Sequence, residues 1–160
     1  PLSMAAMHGH LENVRMLIDY GAKVNKIDRA NCTPLSHAVM GGHLEIVQLL
    51  LKHKAKHRRI KAGKRFPLHL ATQGEFLFIR KFCQHWLECE RSNNHDKVMK
   101  YDDDTLCAPE EEVLAMVQCL LEHGARVNGK DSENETALYN AVAKQYTEVI
   151  KLLALSRSIL

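Results

Sequence analysis

Apolar positions recur along this chain with the period of a helix rather than of a strand. Between Leu44 and Lys52, residues Ile46, Val47, Leu50 and Leu51 fall at helical spacing. A shorter helix is predicted just before it, over Pro34–Met40. Pro34 suits a first helical turn, where a missing N–H costs nothing, and Thr33 stands where it can cap that turn. Gly41-Gly42 then permits a tight reversal into the second helix. Further helices are predicted over Glu110–His123 and Thr147–Leu155. Another, over Phe76–Leu87, is bulky and aromatic, with Phe76, Phe78, Phe82 and Trp86.

The helix pairs repeat. Pro1-Leu2-Ser3-Met4-Ala5-Ala6 aligns with Pro34-Leu35-Ser36-His37-Ala38-Val39, and Gly9-His10-Leu11-Glu12-Asn13-Val14 with Gly42-His43-Leu44-Glu45-Ile46-Val47, each at an offset of 33 residues. A third copy opens at Phe66-Pro67-Leu68-His69-Leu70-Ala71, with Pro67 again 33 after Pro34. Gly21 and Gly124 stand where the second helices should stop. Each pair leaves an apolar face uncovered, so the pairs must stack to bury it.

Thr33-Pro34-Leu35, Gly42-His43-Leu44-Glu45-Ile46-Val47, Gly21-Ala22-Lys23-Val24-Asn25 and Gly124-Ala125-Arg126-Val127-Asn128 together resemble the ankyrin repeat over nearly the whole chain. The resemblance implies an all-α solenoid of antiparallel helix pairs with short hairpin-like fingers. It implies a single domain over 1–160, in units 1–27 (partial), 28–60, 61–92, 93–130 (degenerate, with an insertion) and 131–160.

The fit is uneven. The second unit ends in Lys54-Ala55-Lys56-His57 where Gly-Ala-x-Val is expected, which puts its glycine stop in doubt. The third is one residue short before Gly74. The last has Thr136-Ala137-Leu138 in place of Thr-Pro-Leu. Asp28 and Asp131 open their units and Lys61 takes the matching place in the third. The 70 residues from Lys61 to Asp131 then hold two repeats and four extra residues. That count favours a fourth unit whose first helix lies within Arg91–Ala108. The alternative pairs the Pro67 helix directly with the Glu110 helix and makes everything between them one insertion.

Composition and charge refine this picture. With 46% hydrophobic and 26% charged residues, disorder of the whole chain is not expected. The five cysteines, odd in number and irregularly spaced, argue against a disulfide scaffold and for an intracellular setting, cytoplasmic or nuclear. No apolar stretch is long enough to span a bilayer, and no secretory segment opens the chain. Opening at Pro1, the chain is expected to be a piece of a longer polypeptide. Charge is segregated. Lys52, Lys54, Lys56, Arg58, Arg59, Lys61, Lys64 and Arg65 form a basic finger with no acid among them. Asp96, Asp102, Asp103, Asp104, Glu110, Glu111 and Glu112 face only Lys97 and Lys100 in the segment that follows. Such a basic run attracts acidic proteins, phosphates or nucleic acid, or is neutralised by the acidic segment of its own chain.

Candidate chemistry is sparse. His10, His43 and His69 sit at the repeat's own histidine positions, where the resemblance implies bonds to neighbouring backbone that link adjacent units. Cys83, His85 and Cys89, with His95 and Cys107 nearby, lack the tight paired spacing of structural zinc, and Cys83 falls on an apolar stripe. No phosphate loop, nucleophile elbow or metalloprotease helix is present, and Asp102-Asp103-Asp104 lacks the alternation of a calcium loop. No cofactor, metal or enzyme activity is expected. The resemblance instead implies a protein-binding scaffold or adaptor, monomeric as an isolated module, that uses its concave face and finger tips. Carried over position by position, the contacts are Met7, His8, Ile27, Arg29, Ala30, Cys32, Met40, Arg65, Gln73, Ser132, Glu133, Glu135 and Lys144. Electrostatic binding of nucleic acid or another anion through residues 52–65 is the alternative. Base stacking is not expected there, because no aromatic residues interleave with the cations.

Overall fold

The structure is a computed structural model that describes residues 1–29, 31–56, 66–74, 108–131 and 134–158. The described elements are all helices: α1 (Leu2–Met7), α2 (Leu11–Asp19), α3 (Pro34–Met40), α4 (Leu44–Lys52), α5 (Pro67–Gln73), α6 (Glu110–Glu122), α7 (Ala137–Ala143) and α8 (Thr147–Ser158). The bounds predicted for α3 and α4 are those observed. α6 stops at Glu122, with His123 as its cap, and α8 runs past Leu155 to Ser158.

Side-chain caps start two of the short helices, α3 and α7. Thr33 Oγ1 accepts the Ser36 N–H at 3.1 Å, and Thr136 Oγ1 accepts the Tyr139 N–H at 3.3 Å, so both caps form even though Ala137 replaces the proline. The reversals inside the pairs share one geometry. The amides of His10, His43 and Tyr146 each donate to the carbonyl five residues back, all at 3.0 Å. This closure needs a left-handed residue just before the donor, and Gly9, Gly42 and Gln145 take φ of 77°, 67° and 59°. The second helices end in the same way. Ala22, Ala55 and Ala125 close onto Leu17, Leu50 and Leu120, after Gly21, Lys54 and Gly124. The helix stop of the second unit is therefore intact. Lys54 adopts φ 61° without being glycine, at a cost of about 1–2 kcal/mol.

The helices stack in two layers. In the first, α3 packs between α1 and α5, and α5 between α3 and α7. In the second, α4 lies between α2 and α6, and α6 between α4 and α8. The core runs between the layers through Val14, Leu35, Ile46, Leu50, Val113, Leu120 and Leu153, each 1% exposed or less. α5 packs on α6 as α3 packs on α4. The Ala108 N–H donates to Gly74 O at 2.7 Å, bringing the end of α5 to the start of α6. Among the described residues, the Pro67 helix is thus paired directly with the Glu110 helix, the alternative that the 33-residue count disfavours. Counting fails because it assumes an insertion shorter than a repeat. The boundary drawn between 92 and 93, the aromatic helix expected over Phe76–Leu87 and most of Arg91–Ala108 lie outside the described residues.

Contacts between units are specific. Asn25 holds the next unit through both ends of its amide: Nδ2 donates to Lys54 O at 3.3 Å, and Oδ1 accepts the Lys56 N–H at 2.7 Å. Glu110, in the first turn of α6, accepts the N–H groups of Glu148 and Val149 at 2.6 and 3.4 Å. A carboxylate is thereby placed at the N-terminus of α8, where the helix dipole favours negative charge.

Candidate interaction surface

The imidazoles at two of the repeat's histidine positions join neighbouring units, as expected. His43 Nε2 lies 3.0 Å from Met7 O, at the end of α1. A carbonyl can only accept, so Nε2 carries the proton. The ring also fills the space over two glycines: a Cβ on Gly9 or Gly41 would come within 2.6 or 2.5 Å of it. His69 reaches the last unit, with Nε2 3.1 Å from Gly129 O and 3.2 Å from Glu135 O. Burial pushes its pKa below the ordinary 6.5, against the backbone carbonyl of Glu135 and the charge of Asp131. His10 departs from the pattern. It is exposed and stacks on His8, with ring centroids 6.0 Å apart. Tyr146 stands where a repeat histidine would, and its hydroxyl donates to Ala108 O at 3.1 Å.

The candidate contacts divide by where the fold puts them. Met7, Met40 and Gln73 are the last residues of α1, α3 and α5 and share one register along the stacked helices. All three are half-buried. Ala143, in the same register at the end of α7, is exposed, as is Lys144 beyond it. Among the fingers, Arg29 is exposed, while Ile27 and Glu135 are half-buried; His8, at the end of α1, is half-buried too. Cys32 is a correction. It is 1% exposed, because the finger turns back into the stack there and delivers its side chain to the interior. Ala30, Arg65, Ser132 and Glu133 lie outside the described residues.

Of the basic finger, Lys52, Lys54 and Lys56 are described, and all three are exposed. Arg58, Arg59, Lys61, Lys64 and Arg65 lie outside the described residues, as do the cysteines and histidines of the weak zinc pattern. Of the two described cysteines, Cys119 has its thiol pushed up by burial and by the charge of Glu122, which keeps it protonated.

Two features had escaped the sequence. Met4, Tyr139 and Val142 are exposed on first-layer helices. Tyr139 and Val142 occupy the positions of Ser36 and Val39, which are buried in the second unit where α5 covers α3. No described element covers α7 in that way. The fold also gathers Asp28, Cys32 and His37 around one point at the base of the second finger. The only sequence signal for this was an Asp-x3-Cys-x4-His spacing inside a repeat that has no use for it.

A family model described as "Ankyrin repeats (many copies)" matches residues 2–51 and 106–154, more than half of the chain. The chain belongs to the ankyrin-repeat family. Ankyrin repeats are in general non-catalytic modules of protein–protein interaction. The two matched stretches leave 52–105 between them. That interval holds the basic finger, α5 and most of the segment that interrupts the 33-residue spacing. No match was found among curated proteins. No helix among the described residues is long and apolar enough to cross a membrane.

Proposed function

We propose that this ankyrin-repeat chain is a non-catalytic scaffold or adaptor module that binds a partner protein along its concave face. The face comprises the fingers and the C-terminal ends of the first-layer helices. The observation that carries this reading is the register of Met7, Met40, Gln73 and Ala143. Partly or fully accessible side chains recur there across the whole stack while most neighbouring positions on α3 and α5 are buried. Two thioether side chains in such a row suit an adaptable apolar contact. Arg29, on a finger, and Lys144, beyond α7, add exposed charge to it. As an isolated module the chain is a monomer, and the cysteine pattern supports a cytoplasmic or nuclear setting.

The test is quantitative affinity capture with the wild type, a Met7→Glu/Met40→Glu variant and a Met16→Glu control. Met16 lies on α2, in the other layer, and is 55% exposed. Partners of the concave face are expected to lose at least ~10-fold in affinity for the double variant and to keep it for the control. Thermal unfolding checks that all three proteins fold. Capture that is indifferent to the double variant removes the proposal.

A second reading is favoured by the exposure of Lys52, Lys54 and Lys56, which begin a run of eight cations. In it, the basic finger binds a polyanion, nucleic acid included. Its signature is a steep loss of affinity with salt, and Arg58→Glu/Arg59→Glu is expected to abolish binding. A salt-independent affinity, or one that survives the charge reversal, excludes it.

A further inference from the structure

The second finger carries side chains that its own geometry does not need. Asp28 and Asp131 open equivalent turns. In each, the aspartate N–H donates to the carbonyl four residues on, at 3.0 Å, and Oδ1 accepts the N–H of that same residue, also at 3.0 Å. Asn31 and Asn134 complete both turns in the left-handed region. The last finger closes this way with Glu135 where the second has Cys32, and with Asn140 where it has His37. The turn therefore requires the aspartate alone. Thiol and imidazole are additions, and Met4 and Leu70 occupy the His37 position in the first and third units.

These additions converge. A ring nitrogen of His37, Sγ of Cys32 and a carboxylate oxygen of Asp28 all lie within 4.8 Å of one another. His37 Nε2 is 2.5 Å from Asp28 Oδ2, and the other ring nitrogen, Nδ1, is buried with no hydrogen-bond partner. Cys32 is 1% and His37 9% exposed, whereas Asp28 is half-buried.

We propose that Asp28, Cys32 and His37 form a binding site for a zinc-like divalent metal ion at the base of the second finger. The donor set is one thiolate, one imidazole and one carboxylate, a mixture of sulfur, nitrogen and oxygen that suits borderline-soft Zn2+ rather than Ca2+ or Mg2+. Ligand bonds of about 2.0–2.3 Å around a tetrahedral ion place donor atoms roughly 3.3–3.8 Å apart. The cluster meets this with a shift of about 1 Å between Asp28 Oδ2 and the ring, and Asp28 stands on a finger where such a shift is local. Oδ1 stays in the turn while Oδ2 turns to the metal. Two anionic ligands neutralise the ion, so a buried site carries no net charge. Three protein ligands leave a fourth position for water. Asp28 also lines an open groove of about 950 Å3 beside Pro1 and Pro34, which gives solvent a route to it. On binding, the Cys32 thiol loses its proton to solvent and the sulfur lone pair forms the bond to the metal, with no change of oxidation state.

Metal binding here requires no bound partner, and its test needs none. The whole reduced chain is titrated with Zn2+ against a chromophoric chelator, and separately with Co2+. One Zn2+ per chain is expected, together with a thiolate-to-cobalt charge-transfer band and a proton release that accompanies binding. Thermal stability is expected to rise with Zn2+. Cys32→Ala and Asp28→Asn should each weaken Zn2+ binding by more than the ~10–100-fold that loss of an outer-shell partner costs. Asp28→Asn retains the Oδ1 turn acceptor, so it tests ligation even if Cys32→Ala unfolds. A Cys83→Ser/Cys89→Ser/Cys107→Ser chain should keep the cobalt spectrum. The proposal is overturned if wild type shows no thiolate–cobalt band. It is equally overturned if the band survives in Asp28→Asn and Cys32→Ala, or vanishes in the triple variant while the protein remains folded.

Discussion

Gly74→Ala is expected to destabilise the domain by about 2–5 kcal/mol, read as a lower midpoint in thermal or urea unfolding. Two effects add. Gly74 holds φ 65°, a left-handed conformation that costs an L-residue about 1–2 kcal/mol. A Cβ there would also lie 2.2 Å from the Tyr146 hydroxyl and 3.1 Å from its ring. Room for it requires the phenol to move, and the phenol is bonded to Ala108 O while Ala108 N–H is bonded to Gly74 O. Overpacking of this kind costs about 1–3 kcal/mol. Gly21 provides the control, with φ 81° and no atom within 4 Å of the place a Cβ would take. Gly21→Ala therefore reports the backbone effect alone and is expected to cost about 1–2 kcal/mol. If the two alanine variants prove equally destabilising, the close packing of Tyr146 on Gly74 is not what holds α5 to α6.

Much of the fold was legible because the ankyrin repeat writes its turns in side chains. Thr33, Pro34, Gly42 and Gly21 each act at a backbone position that few residues tolerate, so their spacing fixes helix ends to the residue. Legibility failed where tertiary packing overrides such local signals. Lys54 carries no mark of a helix stop. It holds one because Ala55 and Leu50 on either side are buried and the chain must turn between them. The pairing of α5 with α6 is a long-range contact, invisible to a count of residues, since an insertion can leave two helices adjacent whatever its length. Gln145 and Asn134 likewise take left-handed conformations that composition alone assigns to glycine first.

The candidate surface was less legible than the fold, for a different reason. Carrying contact positions over from a repeat assumes that every unit buries the same atoms. Met7, Met40 and Gln73 sit at equivalent helix ends with similar partial exposure, so for them the assumption works. Cys32 belongs to a finger, and fingers are exposed as a class, yet a small thiol on the inward side of the turn is drawn into the stack. The same inward direction brings it to Asp28 and His37. The side chain that drops out of the partner surface is thus the one that completes the cluster at the finger base.

Acidification is expected to weaken the domain through His69, with the loss setting in as pH falls through the ordinary histidine value of 6.5. His69 Nε2 faces the carbonyls of Gly129 and Glu135 and must carry a proton to bond them. The neutral ring is then satisfied at Nε2. A second proton would go to Nδ1, which is buried without a partner. Burial thus disfavours the charged ring and holds its pKa below 6.5, although Glu135 and Asp131 act in the opposite sense. The sign follows from linkage. Above 6.5 both folded and unfolded chains hold a neutral ring, and the contribution of His69 is complete. Between 6.5 and the lower folded value, the unfolded chain takes up the proton first, and stability is lost as pH falls across that window. His69→Gln removes the titration while leaving a side-chain N–H able to donate. His69→Ala removes the donor and the ring together, at about 2–4 kcal/mol near neutral pH. Glu135 O retains the bond from Asp131 N–H in either variant. Unfolding midpoints measured from about pH 7.5 down to about pH 5, a range that brackets histidine titration, should fall more steeply for wild type than for His69→Gln. Parallel slopes would show that the junction between the third and last units does not depend on a neutral His69.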